Sequence, residues 1–112
     1  MQSLTALADP NRRRIVEMLC RGEQASGEIA AEFDVSAAAI SQHLKVLREA
    51  RLVQVRVEAQ RRIYSLDPAG LGEIEAWLKS VRQFWSGRLD ALERELRRPQ
   101  EAAKAKKRRR KR

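Results

Sequence analysis

The chain has 112 residues, 43% of them hydrophobic, with no apolar run longer than Ala37–Ile40. That is one domain's worth of chain, too little for the large nucleotide-binding or barrel enzymes and without a membrane-spanning stretch. Lys and Arg number 24 against 15 Asp and Glu, a net charge of +9; eight of those basic residues and one acid fall in residues 100–112, so residues 1–99 carry only +2.

A near-neutral body with a cationic tail fits a polyanionic partner, most simply nucleic acid. Five aromatic residues are too few for a single-strand stacking platform. One cysteine, Cys20, excludes an internal disulfide framework and a multi-thiolate zinc site. No leader pattern opens the chain, so the cytoplasm is the expected address.

Leu4 and Leu7 make the opening segment weakly amphipathic. Asp9-Pro10 then reads as an N-cap followed by proline at the first helical position. The helix from Pro10 to Arg21 turns Ile15, Met18 and Leu19 inward, and Gly22 stops it. Ser26 is expected to cap a short helix carrying Ile29, Ala30 and Phe33. Ser36 is expected to cap a longer one, to about Ala50, with Ile40, Leu44 and Leu47 on one face. Two helices across a short turn are the helix-turn-helix outline, with Val35 and Ile40 filling the angle between them.

From Val53 the period changes to two, and Val53–Val57 with Arg62–Leu66 predict a two-stranded hairpin turning near Ala59-Gln60. Asp67-Pro68 opens the last helix by the same device as Asp9-Pro10. Its apolar residues Leu71, Ile74, Leu78, Val81, Trp85, Leu89, Leu92 and Leu96 form a near-heptad seam. Pro99 is expected to end it. The fold expected is mainly α with a small β-hairpin: a winged helix-turn-helix with an added C-terminal dimerisation helix. Residues 1–98 form the domain and 99–112 a basic, disordered tail.

At this point three stretches resemble a known family. Ala8-Asp9-Pro10-Asn11-Arg12-Arg13-Arg14-Ile15, Ser41-Gln42-His43-Leu44-Lys45-Val46-Leu47-Arg48-Glu49-Ala50 and Arg61-Arg62-Ile63-Tyr64-Ser65-Leu66 look like the opening, the recognition helix and the wing end of small bacterial ArsR-type repressors. The last helix, with Trp77-Leu78 and Phe84-Trp85, is similar to the family's metal-free, often autoregulating branch. The resemblance implies a homodimer paired through its first and last helices, on double-stranded DNA with a palindromic operator. Dimer contacts are expected at Leu4, Leu7, Leu78, Val81, Trp85, Leu89 and Leu92. It also locates the family's paired metal-binding cysteines at Ala25 and Gly27, and the last helix has no histidine. No metal site and no cofactor are expected.

DNA contacts follow from the helical wheel. Opposite Ile40, Leu44 and Leu47, the recognition helix presents Ala38, Ser41, Gln42 and Lys45, with Ser36 and Ala37 at its phosphate-favouring N-terminus. Arg56, Arg61 and Arg62 on the hairpin are expected to reach backbone or minor groove. His43 flanks the apolar stripe and reads as a packing or phosphate-contact residue, with no partner at a spacing that suggests catalysis. Cys20, beside Arg21, reads as a partly buried bystander or a reactive thiol. Trp77, Phe84 and Trp85 fit core and dimer seam, or an effector pocket. Arg51, Asp34 and Ala59 stand where the family has glycine, so each is expected in a glycine-like backbone conformation.

The function expected is a cytoplasmic transcriptional regulator, a repressor, nucleoid-associated when bound to DNA; its effector is not specified by the sequence. Two other readings remain: a non-specific DNA-coating protein driven by the tail, which would show steep salt dependence, and a helical adaptor indifferent to DNA. The tail itself reads as a phosphate tracker or a solubility device.

Overall fold

The computed structural model describes the backbone of residues 1–110 and the side chains of residues 1–98. The elements run α1 Gln2–Ala6, α2 Pro10–Leu19, β1 Gln24–Ala25, α3 Ser26–Ala31, α4 Ala37–Glu49, β2 Val53–Glu58, β3 Arg61–Leu66 and α5 Pro68–Arg110. They form two compact units, Met1–Ala76 and Trp77–Arg112.

Within the first unit, Ile15, Ile29, Ile40, Leu44, Leu47, Leu52 and Val53 are the largest fully buried apolar side chains. They come from α2, α3, α4, the turn after α4 and the start of β2, so the helix-turn-helix and the wing share one core. Leu71 and Ile74, from the first turns of α5, pack against it. The sheet has three antiparallel strands in the order β1-β3-β2. Val53 pairs with Leu66 and Glu58 with Arg61, while Gln24 and Ala25 pair with Tyr64 and Ile63. β1 is absent from the sequence reading because two residues are too short to show a period.

Other details also correct the expectations. The N-cap of α3 is Ala25, and Ser26 is its first helical residue; the Ala25 N–H donates to the Glu28 carboxylate three positions on, at 3.3 Å, so the acid supplies the cap. Val35 is exposed instead of filling the angle between helices. Cys20 is exposed and is the C-cap of α2. α5 runs through Pro99 to Arg110 where a break and a disordered tail were expected. One lost backbone bond is outweighed by the strong helix formers that follow, Gln100 to Lys107. Lys111 and Arg112, and the side chains from residue 99 onward, lie outside the described residues.

The three glycine-like positions divide. Arg51 and Ala59 have φ of 58° and 56°, and Asp34 is not among the positive-φ residues, so the turn between α3 and α4 needs no left-handed residue. Ala59 lies in the two-residue connection of the β2–β3 hairpin, where a positive φ matches the twist of the strands. Arg51 closes α4. Its N–H donates to the Arg48 carbonyl and the Leu52 N–H to the Leu47 carbonyl, both at 3.0 Å, the bond pattern of a Schellman cap. The Arg51 carbonyl then accepts the Gly70 N–H at 2.7 Å. A Cβ at Gly70 would fall onto that same carbonyl oxygen, so the start of α5 docks on the end of α4 only because residue 70 has no side chain.

Asp9 caps α2 by accepting the N–H groups of Asn11 at 2.8 Å and Arg12 at 3.2 Å. Desolvation raises its pKa, but those N–H bonds and the nearby His43 and Arg12 charges outweigh it and hold the carboxyl below its ordinary 3.8.

Two tests of stability follow. Gly70→Ala should cost about 1–3 kcal/mol through overpacking against backbone, and Arg51→Gly should gain up to about 1 kcal/mol by relieving the left-handed strain; urea melts read both, and a neutral Gly70→Ala would refute the close approach. Asp9→Ala should cost about 1 kcal/mol at neutral pH, while Asp9→Asn keeps most of the cap. Because the folded pKa is depressed, this advantage is present above the ordinary value and disappears as pH falls through the lowered one. Thermal melts from neutral pH downward should therefore show wild type and Asp9→Ala converging only in acid.

Candidate nucleic-acid interface

α4 is anchored by its buried face. Ile40, Leu44 and Leu47 are at most 2% exposed, which fixes the rotation of the helix and leaves Ala38, Ser41, Gln42 and Lys45 in solvent. Ser36 caps it as expected, its hydroxyl accepting the Ala39 N–H at 3.1 Å. Ser36 and Ala37 are exposed as well, at the end where the first N–H groups of a helix have no intrahelical acceptor.

His43 stands apart from this face. It is half-buried, and its Nδ1 lies 3.4 Å from a guanidinium nitrogen of Arg12. Arg12 in turn donates through Nε to the Ala6 carbonyl at 2.6 Å. His43 thus belongs to a polar tie joining α4 to α2 and the end of α1. Sequence reasoning missed Arg12 as its partner, since thirty-one residues separate the two.

The wing arginines occupy different settings. Arg62 is exposed and lines a shallow groove with Ser26, Gly27, Ala37 and Ser41, floored by Ile40 and Tyr64. The groove brings one wing cation beside the start of α4. Arg56 pairs with Glu23 at 2.7 Å and with Glu58 at 3.5 Å. The Glu23 hydrogen bond holds the Arg56 pKa above its ordinary value. Arg61 pairs with Glu28 at 2.9 Å. The two acids that face the wing, Glu23 and Glu28, carried no signal in the sequence, because the pairs span more than thirty residues and depend on the register of the sheet.

Ala25 and Gly27, where the resemblance locates the family's thiolates, carry no donor atom. Ala25 is buried in β1 opposite Ile63, and Gly27 has only open space where a side chain would start. The residues here do not fit a thiolate metal site.

The expected dimer residues lie on two elements. Leu4 and Leu7 at the N-terminus are half-buried. On α5, Val81 is half-buried, and Leu78, Trp85, Leu89 and Leu92 are between 47% and 58% exposed. Phe84 stacks edge-on against Trp85, centroids 6.0 Å apart, with the Arg88 guanidinium 4.7 Å above its ring. These aromatic contacts are made along the helix's own surface.

Residues 9–55 match the family model described as bacterial regulatory protein, arsR family. The chain is 50% identical over 81 residues to the HTH-type transcriptional regulator Rv2034 of Mycobacterium tuberculosis, covering 72% of this chain and 73% of that one. It is 34% identical over 73 residues to the transcriptional repressor SdpR of Bacillus subtilis, covering 65% and 81%. The crystal structure of a possible transcriptional regulator for arsenical resistance overlays with a TM-score of 0.68 at 45% identity, over 73% of this chain and 85% of that one.

Gln42 is the exposed side chain on α4 best suited to read a base, since its amide can pair with adenine through two hydrogen bonds. Gln42→Ala should cost about 1–3 kcal/mol on the preferred duplex and little on random sequence. Titration of both duplexes at one salt concentration measures the difference, and equal weakening on the two would remove the base-reading role.

Proposed function

The chain belongs to the arsR family of bacterial regulatory proteins, DNA-binding transcriptional regulators and not enzymes, and from that premise we propose that it is a repressor acting as a homodimer on a palindromic operator. The observation that carries the reading is the exposed polar face of α4, held in place by a fully buried apolar face and joined by Arg62 across a shared groove.

In this reading Ser41 and Gln42 meet base edges, Ala38 can meet a thymine methyl, and Ser36, Ala37 and Lys45 hold phosphates. Arg56, Arg61 and Arg62 extend the contact along the backbone or into the minor groove. His43 supports α4 through Arg12 rather than facing the duplex. One helix per half-site requires two copies, and the two-fold axis of such a dimer makes the operator palindromic. Repression as the direction of control is supported by the likeness to SdpR, itself a named repressor.

Ala25 and Gly27 supply no metal ligand in this scheme. The protein works where the chromosome is, in the cytoplasm. The basic residues from Lys104 to Arg112 add phosphate contacts that carry no sequence information.

The dimer seam is the point at which the reading is most exposed to experiment. Leu78, Val81, Trp85, Leu89 and Leu92 recur on one face of α5, with Val81 half-buried and the other four about half exposed, a row that monomers rarely leave uncovered. The paired change Leu89→Glu and Leu92→Glu should give monomers on a sizing column and abolish operator binding, while far-UV circular dichroism stays near wild type. Dimers that survive the double change would refute α5 as the main interface.

A further inference from the structure

Two of the three wing arginines are already occupied. Arg56 on β2 reaches Glu23 and Arg61 on β3 reaches Glu28; both acids flank β1, on the approach to α3 and in its first turn. For Arg62 no ion pair occurs among the described residues. All the paired groups are at least half exposed, so the pairs are weak and open readily. A phosphodiester offers a guanidinium the same charge and the same two-oxygen geometry as a carboxylate. It is therefore a direct competitor for Arg56 and Arg61.

We propose that Glu23 and Glu28 stand in for DNA phosphate, keeping Arg56 and Arg61 neutralised until a duplex seated by α4 displaces them, and so suppress binding to random DNA. An arginine already paired on the protein has little counterion to release when it meets a phosphate, so it adds little to non-specific affinity. On random DNA the wing then offers one free cation, Arg62. On a duplex held in register by α4, phosphates arrive at fixed positions and the exchange becomes intramolecular. Glu28 is itself held in place, because the oxygen that meets Arg61 also accepts the Ala25 N–H. Glutamine at position 28 keeps an acceptor for that N–H and removes only the charge.

The inference rests on the reading that the wing touches DNA, and the test separates the two. Glu28→Gln and Glu23→Gln are titrated with a short random-sequence duplex across a salt series. Each should tighten binding roughly two- to five-fold, the equilibrium equivalent of an exposed ion pair, and steepen the log K against log salt slope by up to about 0.9. The gain from Glu28→Gln must vanish in an Arg61→Ala background, and that from Glu23→Gln in an Arg56→Ala background. A gain that survives loss of the arginine reports only a less acidic surface and overturns the proposal. Unchanged or weaker binding with a lower Tm means the pairs merely brace the wing, and also overturns it. Arg62→Ala measures the wing by itself. If it weakens binding while the glutamine variants do not tighten it, wing contact stands and the stand-in role fails; if it has no effect and the glutamine variants have none, both fail.

Discussion

The left-handed turn at Arg51 is the constraint on which the winged unit depends. Three consecutive backbone steps converge there: α4 ends, β2 begins, and the first turn of α5 docks by a hydrogen bond to the Arg51 carbonyl. Leu47 and Leu52, on either side of the turn, are both fully buried, so the cap is also a core contact. The turn sets the direction in which the chain leaves α4, and thereby the position of the wing. Its strain is tolerated because the surrounding bonds and the bare Cα of Gly70 over-determine it. A residue in this conformation usually is glycine, and an arginine here means that fixed geometry outweighs the local preference.

The electrostatics repeat the same logic at the surface. The first 99 residues carry almost balanced charge, and the structure shows where the balance is used. Acids on the approach to α3 and in its first turn meet cations on the wing, leaving Ser41, Gln42 and Lys45 on α4 and Arg62 on β3 as the open polar face. Excess positive charge is concentrated near the C-terminus. In the proposed reading such a division would separate the part that discriminates from the part that attracts.

Much of this was legible in the sequence wherever a local signal existed. Asp9-Pro10 and Ser36 cap helices at the positions expected, the 3.6-residue stripe of α4 is the buried face, and Ala59 and Arg51 take the positive φ that their replacement of glycine suggested. What was not legible depends on distance along the chain. β1 exists because Gln24 and Ala25 find β3 forty residues later, and Glu28 acquires two roles because that pairing brings Arg61 to it. The exposure of Val35 and the ordinary backbone at Asp34 likewise depend on how α3 and α4 meet rather than on the turn's own residues. At Pro99 one helix-breaking residue yields to the long run of helix formers behind it, a balance that depends on more than the residue itself.

α5 shows why the remaining question concerns two molecules. Its apolar residues follow one stripe from Leu71 to Leu96. The first two, Leu71 and Ile74, pack against the winged core, while Leu78 and the residues beyond it are largely solvent-exposed. The spacing of 3 and 4 slips once, between Trp85 and Leu89, where two successive steps of 4 occur. Such a stutter unwinds a left-handed supercoil locally and lets paired helices run straighter. A second copy presenting the same stripe would meet like residues across a two-fold axis, covering the Trp85 and Leu89 steps on both helices at once. Assembly of that kind would bury apolar side chains that a single copy leaves in water, and stability would rise with protomer concentration.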